Sequence, residues 1–214
     1  MDFVFSAIAI CILVISVVFH EYAHGKVSYI FGDPTPKNEG RLTFNPLKHL
    51  DPVGSVLLPL FLVLLNTGFV IGWAKPVPIN PDNYKNKRLG WILTSLAGPL
   101  ANYSVAVVSL LVLLVINSLF HPATLLIVDV ILWYFIAINF ILGSFNLIPL
   151  PPLDGFWVIL NLFPEGVRTR VMTNLSSRFY PLIIVITAIV AVFISRYTIL
   201  PLLKQIGVYL KIFS

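Results

Sequence analysis

Charge is scarce in this sequence. Only 11% of its 214 residues are Asp, Glu, Lys or Arg, against about a quarter in a soluble domain. Nine acidic and fourteen basic side chains leave too little polar surface to cover a globule in water. The shortage argues against a soluble enzyme, a disordered tail and a nucleic-acid binder. Cysteine is nearly absent: Cys11 stands alone, so no internal disulfide forms and the redox compartment is not legible. There is no 20–50-residue repeat and no low-complexity tract. What the chain has in excess is apolar residues, 58% of the total, with a mean hydropathy of +0.93. This is the composition of an integral membrane protein of several spans. The expected fold class is an all-α polytopic helical bundle, with a re-entrant element and short strand or loop pieces, in one membrane-embedded domain over 1–214. The net charge of +5 suits a positive-inside membrane protein and does not require nucleic acid as a partner.

Four spans are expected, at about 3–31, 91–117, 124–147 and 179–197. The first begins as an uncharged run with Asp2 as the only early charge and no small-residue cleavage site after it. It reads as a retained helix rather than a signal peptide. Gly32-Asp33-Pro34 should end it. Residues 53–74 are apolar too, and 199–214 form an amphipathic tail suited to the interface. Between them lie polar, proline-broken stretches at 34–52, 75–90 and 149–178.

At the polar end of the first span stands His20-Glu21-Tyr22-Ala23-His24. On a helix, residues i and i+4 share a face, so both imidazoles can grip one ion. Zinc suits imidazole nitrogen, and the glutamate beside the first ligand can serve as general base toward a zinc-activated water. With 4 His among 214 residues, random placement yields the pattern about once in a thousand such chains. Ionisable residues at the end of an apolar span are expensive and usually functional. A catalytic zinc commonly takes three protein ligands. For the third, His49, His121, Asp33, Asp51, Asp129 and Asp154 all remain open. Asp154 is favoured by its place in Asn146-Leu-Ile-Pro-Leu-Pro-Pro-Leu-Asp154-Gly155, because proline-rich backbone at membrane depth is tolerated only where it lines a cavity or packs in protein.

Together these marks resemble the site-2 protease family of intramembrane zinc metalloproteases, in a minimal form without a PDZ or CBS domain. The matching motifs are H-E-x-x-H at His20–His24, G-P-x-x-N at Gly98, Pro99 and Asn102, and N-x-x-P-x-x-x-x-D-G from Asn146 to Gly155. The resemblance covers residues 16–160. It implies Zn2+ held by His20, His24 and Asp154, with Glu21 as base and Asn146 binding the substrate backbone or the oxyanion. It also implies hydrolysis of a peptide bond in or near a transmembrane helix of another membrane protein, within the lipid bilayer of the cell membrane. A zinc-binding carrier or sensor without protease activity is the competing reading. A carrier would need ionisable residues through both halves of the membrane, where Asp129 is the only buried charge outside the cluster.

One ion requires His24 and Asp154 on the same side of the membrane. If 53–74 crossed fully, they would be separated by about 30 Å. A re-entrant 53–74 brings them together. Positive-inside counting agrees: a re-entrant segment puts eleven Lys and Arg (26–48, 75–88 and 168–178) on the cytoplasmic side, and a crossing one leaves four there with seven outside. The site is therefore expected near the cytoplasmic face. The extended stretches Arg41–Asn45 and Lys75–Ile79 are expected to offer strand edges to an unwound substrate.

Overall fold

A computed structural model of the chain describes residues 3–57, 61, 74–119, 126–175, 180–194, 197 and 201. Seven α-helices lie among them: α1 (Phe3–Ile30), α2 (Thr35–Asn38), α3 (Lys87–Leu119), α4 (Leu126–Asn146), α5 (Asp154–Leu162), α6 (Glu165–Leu175) and α7 (Tyr180–Ile194). Three of these helices, over Ala7–Ile30, Lys87–Leu119 and Ile127–Asn146, are long and apolar enough to cross a bilayer. The chain is an all-α, polytopic membrane protein.

The helices start and stop where local chemistry dictates. α1 ends in a Schellman motif. Gly32 takes φ +110°, its N–H bonds Tyr29 O, and the Asp33 N–H bonds Ser28 O. α3 starts at Lys87, earlier than the expected residue 91, because Asn86 Oδ1 accepts the Leu89 N–H and caps the first turn. α4 begins close to the expected position, and Asp129 sits in its first turn.

Most of the expected re-entrant segment 53–74 and of the tail 199–214 lies outside the described residues, as does His121. Residues 52–57 form one helical turn, started by Asp51, whose carboxylate accepts the Val53 and Gly54 N–H groups. No strand forms at 41–45 or 75–79, nor elsewhere among the described residues. In 75–78, Lys75 donates to His49 O and Val77 to Glu21, while Pro76 and Pro78 carry no N–H. Both N–H donors of 75–78 are thus engaged within the chain.

α1, α3 and α4 make the bundle. α1 buries Ile12, Ser16, His20, His24 and Ser28, a stripe at four-residue spacing. α3 answers with Gly90, Thr94, Gly98, Asn102 and Ala106, also buried and four apart. Small residues on that stripe let the two helices approach closely, as helices in lipid require. Leu113, Trp133 and Ile136 form the apolar core between α3 and α4. Below the site, α5 is held on α3 by Trp91 stacked on Trp157, with centroids 5.1 Å apart, and by Arg88, which caps the carbonyls of Asn161 and Leu162.

Asp33 joins α1 to the strap 75–80. Its fully buried carboxylate accepts from Ser28 Oγ, Thr35 N and Oγ1, Asn80 N and Asn83 Nδ2. Burial pushes its pKa up, and the bonds from Thr35, Asn83 and Asn80 outweigh that and hold it below the usual carboxylate range. A depressed folded pKa contributes stability that is complete above the unfolded value, about 4, and is lost as pH falls below it. Asp33→Asn sets an amide N–H₂ among donors and should lower the thermal midpoint in detergent by about 5–10 °C near neutral pH. The gap to wild type should close as pH drops from 5 toward 3. A gap that is constant with pH would contradict the assignment.

Candidate metal centre

His20 and His24 come from the same face of α1, one turn apart, and Asp154 from the first residue of α5. The two Nε2 atoms lie 3.0 Å apart. Asp154 Oδ2 lies 3.2 Å from His20 Nε2 and 3.3 Å from His24 Nε2. Both rings are buried, at 8% and 7% exposure. Zinc ligands at about 2.0–2.2 Å in a tetrahedron stand about 3.3–3.5 Å apart, close to this triangle.

The far side of each ring explains why the triangle wants a cation. His24 Nδ1 is 2.6 Å from the carbonyl oxygen of Thr94, an atom that only accepts. Its Nδ1 therefore carries a proton, and in the neutral ring Nε2 keeps the lone pair. His20 Nδ1 is 2.6 Å from Asn102 Oδ1, with the same consequence. Two imidazole lone pairs and a carboxylate oxygen thus converge. Asp154 Oδ2 is buried without a hydrogen-bond donor. Three electron-rich atoms at contact, largely buried, repel unless a cation sits among them. Among the described residues, these three form the group whose ligand atoms fall within 4.8 Å of one another.

Backbone geometry holds the ligands there. Gly98 of α3 faces the two imidazoles: a side-chain carbon at this position would lie 2.5 Å from His20 Cε1 and 2.6 Å from His20 Nε2, and would collide with His24 Nε2. Gly155 lies against the turn that follows α4, where a side-chain carbon would collide with Leu147 O. The turn 147–153 is closed by Ile148 N–H to Phe145 O and Leu153 N–H to Leu150 O. Thr187 of α7 donates to Pro151 O at 2.7 Å.

Glu21, beside His20, accepts the Val77 N–H at Oε2, 2.8 Å away. The strap carrying Val77 is fixed at both ends. Arg41 Nη2 donates to Lys75 O and Pro76 O, and Asp33 takes the Asn80 N–H. Leu42 and Val77 reach α1 at Gly25, where a side-chain carbon would lie 2.9 and 3.1 Å from them. One carboxylate oxygen of Glu21 is thus anchored and the other remains for chemistry. Asn146, the last residue of α4, turns its amide nitrogen back to Leu142 O at 2.9 Å and contributes no atom to the metal triangle.

Of the other carboxylates and imidazoles considered from sequence, Asp33, Asp51 and His49 are engaged elsewhere. Asp33 holds the strap and Asp51 caps the turn at 52–57. His49 is a buried loop histidine bonded to Thr43 O. Asp129 is buried in the first turn of α4. The sequence reading missed the residues behind the ligands: Ser16, Thr94 and Asn139. Their signal was present as polar residues inside apolar spans, with Ser16 four before His20 and Thr94 four before Gly98.

Residues 115–194 match the model of Peptidase family M50. The chain is 41% identical over 170 residues to the Putative zinc metalloprotease YwhC of Bacillus subtilis (strain 168), covering 77% of this chain and 73% of that protein. It is 32% identical over 173 residues to the Putative zinc metalloprotease Rip2 of Mycolicibacterium smegmatis, covering 76% of this chain and 62% of the relative. Rip2 of Mycobacterium tuberculosis (strain ATCC 25618 / H37Rv) is 30% identical over 159 residues, which are 72% of this chain and 57% of that protein. No solved structure matches the chain.

Proposed function

The chain belongs to peptidase family M50, and we propose that this metalloprotease cuts peptide bonds in or near transmembrane helices of other membrane proteins, with its site near the cytoplasmic face. The observation that carries the reading is the convergence of His20, His24 and Asp154 at 3.0–3.3 Å, beside an anchored Glu21, within the C-terminal half of a helix long enough to cross the bilayer. A site in that place meets its substrate from within the membrane. A transmembrane helix shields its backbone by hydrogen bonding, so the substrate must unwind before it is cut.

His20, His24 and Asp154 would hold Zn2+. When bound, the ion supplies Lewis acidity, acidifying a water and polarising the scissile carbonyl. Glu21 takes the proton of the attacking water on its free oxygen, while Val77 N–H keeps the other oxygen in place. The same carboxyl then returns the proton to the leaving amine. Asn146 has a second amide hydrogen beyond the one given to Leu142 O, and we assign it to the developing oxyanion. The basic residues along 26–48, 75–88 and 168–178 set the cytoplasmic orientation.

The test uses the full chain purified in detergent, with a panel of single-span membrane peptides read by mass spectrometry. Zinc-loaded protein should cut at least one peptide within or beside its apolar stretch. Protein stripped by chelator should lose the activity by 100-fold or more, on the order of what loss of a metal-activated water costs, and regain it with zinc. Zinc bound at about one per chain with no cleavage of any peptide would favour a binding protein instead.

A further inference from the structure

We propose that Asn139 of α4 is a positioning residue for the metal site: through the amide of Asn102, it fixes which nitrogen of His20 is free to bind zinc. The proposal rests on the zinc reading above and deepens it.

The chain of bonds starts at an atom that can only accept. Asn139 Nδ2 lies 2.9 Å from Phe135 O, one turn back on α4, and 2.8 Å from Ser16 Oγ. The carbonyl forces the nitrogen of the Asn139 amide to that side, so its Oδ1 faces the other way. There it meets Asn102 at 2.8 Å and accepts from Nδ2. Asn102 must therefore point its nitrogen at Asn139, and its oxygen at His20 Nδ1, 2.6 Å away. An oxygen in that place requires a proton on Nδ1 and leaves the lone pair on Nε2, the atom in the metal triangle. Asn102 Nδ2 has a second and longer bond, 3.3 Å to Ser16 O, which supports the same orientation more weakly. Ser16 Oγ is itself committed as donor to Ile12 O at 2.8 Å, so it stands as an acceptor toward Asn139.

Ser16, Asn102 and Asn139 are each fully buried. In the interior of an apolar bundle, three such residues are costly unless every donor meets an acceptor. Here each amide orientation is dictated by the next. If the acceptor on Asn139 is removed, Asn102 loses its shorter anchor and is free to flip its amide. A flipped amide offers N–H to His20 Nδ1, which then carries the lone pair and sends the proton to Nε2, into the metal site. The consequence is a weakened site with all three ligands present.

Zinc affinity of the full chain in detergent, measured by competition with a chromophoric chelator, tests this. Asn139→Leu removes the acceptor at nearly constant volume and should weaken zinc by about 10- to 100-fold, the usual effect of losing a group behind a metal ligand. Asn139→Asp should hold zinc within about 3-fold of wild type, because a carboxyl buried in this bundle stays protonated and keeps both an acceptor and a donor. Equal weakening by the two substitutions, or no weakening by Asn139→Leu, overturns the proposal. If Asn139→Leu fails to fold, Asn102→Leu and Asn102→Asp put the same question one bond nearer the ligand. Loss in the first with retention in the second supports the chain of acceptors, and equal loss overturns it. Wild-type protein that takes up no zinc overturns the zinc reading and the proposal together, whereas wild-type binding with unaffected Asn139→Leu overturns the proposal alone.

Discussion

Gly98→Ala is expected to empty the metal site while leaving the helix that carries it intact. The added methyl would lie 2.5 Å from His20 Cε1 and 2.6 Å from His20 Nε2, and against His24 Nε2. These are about 1 Å inside ordinary contact distance. Neither ring can retreat cheaply, since the Nδ1 atoms are tied to Asn102 and Thr94 and both rings are buried. Helix propensity works in the opposite direction: alanine in place of a mid-helix glycine favours the helix by about 1 kcal/mol. A loss of zinc therefore cannot be ascribed to a weakened α3. Elemental analysis of detergent-purified protein should fall from about one zinc per chain to below about a tenth, with helical content by circular dichroism unchanged. Gly166→Ala on α6 is the control, because nothing lies within 4 Å of a side-chain carbon there, and it should retain the metal. Gly98→Ala with a full complement of zinc would mean that the imidazoles do not hold the ion where the structure puts them.

Gly98 also shows what the sequence could and could not reveal. A glycine before a proline inside an apolar span is visible as an anomaly, and its place in G-P-x-x-N was noted. Its reason is not visible, because the atoms it makes room for belong to another helix more than seventy residues away. The meeting of His20 and His24 was legible for the opposite reason: it follows from a local spacing that a helix converts directly into one face. Asp154 was favoured among six open ligands by its proline-rich turn, and the structure brings it to both imidazoles. The Glu21 anchor was out of reach. It depends on backbone N–H of Val77, and no side-chain pattern announces a backbone donor. Nor does the extended, proline-rich sequence of Lys75–Ile79 announce that the Lys75 and Val77 N–H groups are turned inward to His49 O and Glu21. Asp33, one of six candidate ligands by residue type alone, turned out to hold that strap in place.

Glu21→Gln is expected to abolish peptide hydrolysis while leaving zinc bound. Glutamine matches glutamate in size, and its carbonyl oxygen still accepts the Val77 N–H, so the strap and the helix keep their positions. What it lacks is a carboxylate oxygen able to take a proton from water. Removing a general base costs about 10²–10⁴ in rate, and the substitution should lower kcat by that factor on whichever membrane peptide the wild type cuts. KM should stay near its wild-type value, because the charge removed serves the transition state more than substrate binding. Zinc content should remain at the wild-type level, since Glu21 is not among the three converging donors. Glu21→Ala gives the complementary result, for it removes the acceptor of Val77 as well as the base. Any further loss in Glu21→Ala, above all a rise in KM, measures what the anchored strap adds to holding the substrate, apart from proton transfer. Full activity in Glu21→Gln would sink the assignment of Glu21 as base and move the proton to another group. Loss of zinc in Glu21→Gln would instead show that the carboxylate shapes the metal site, and the roles drawn from the three-donor geometry would have to be redrawn with Glu21 among them.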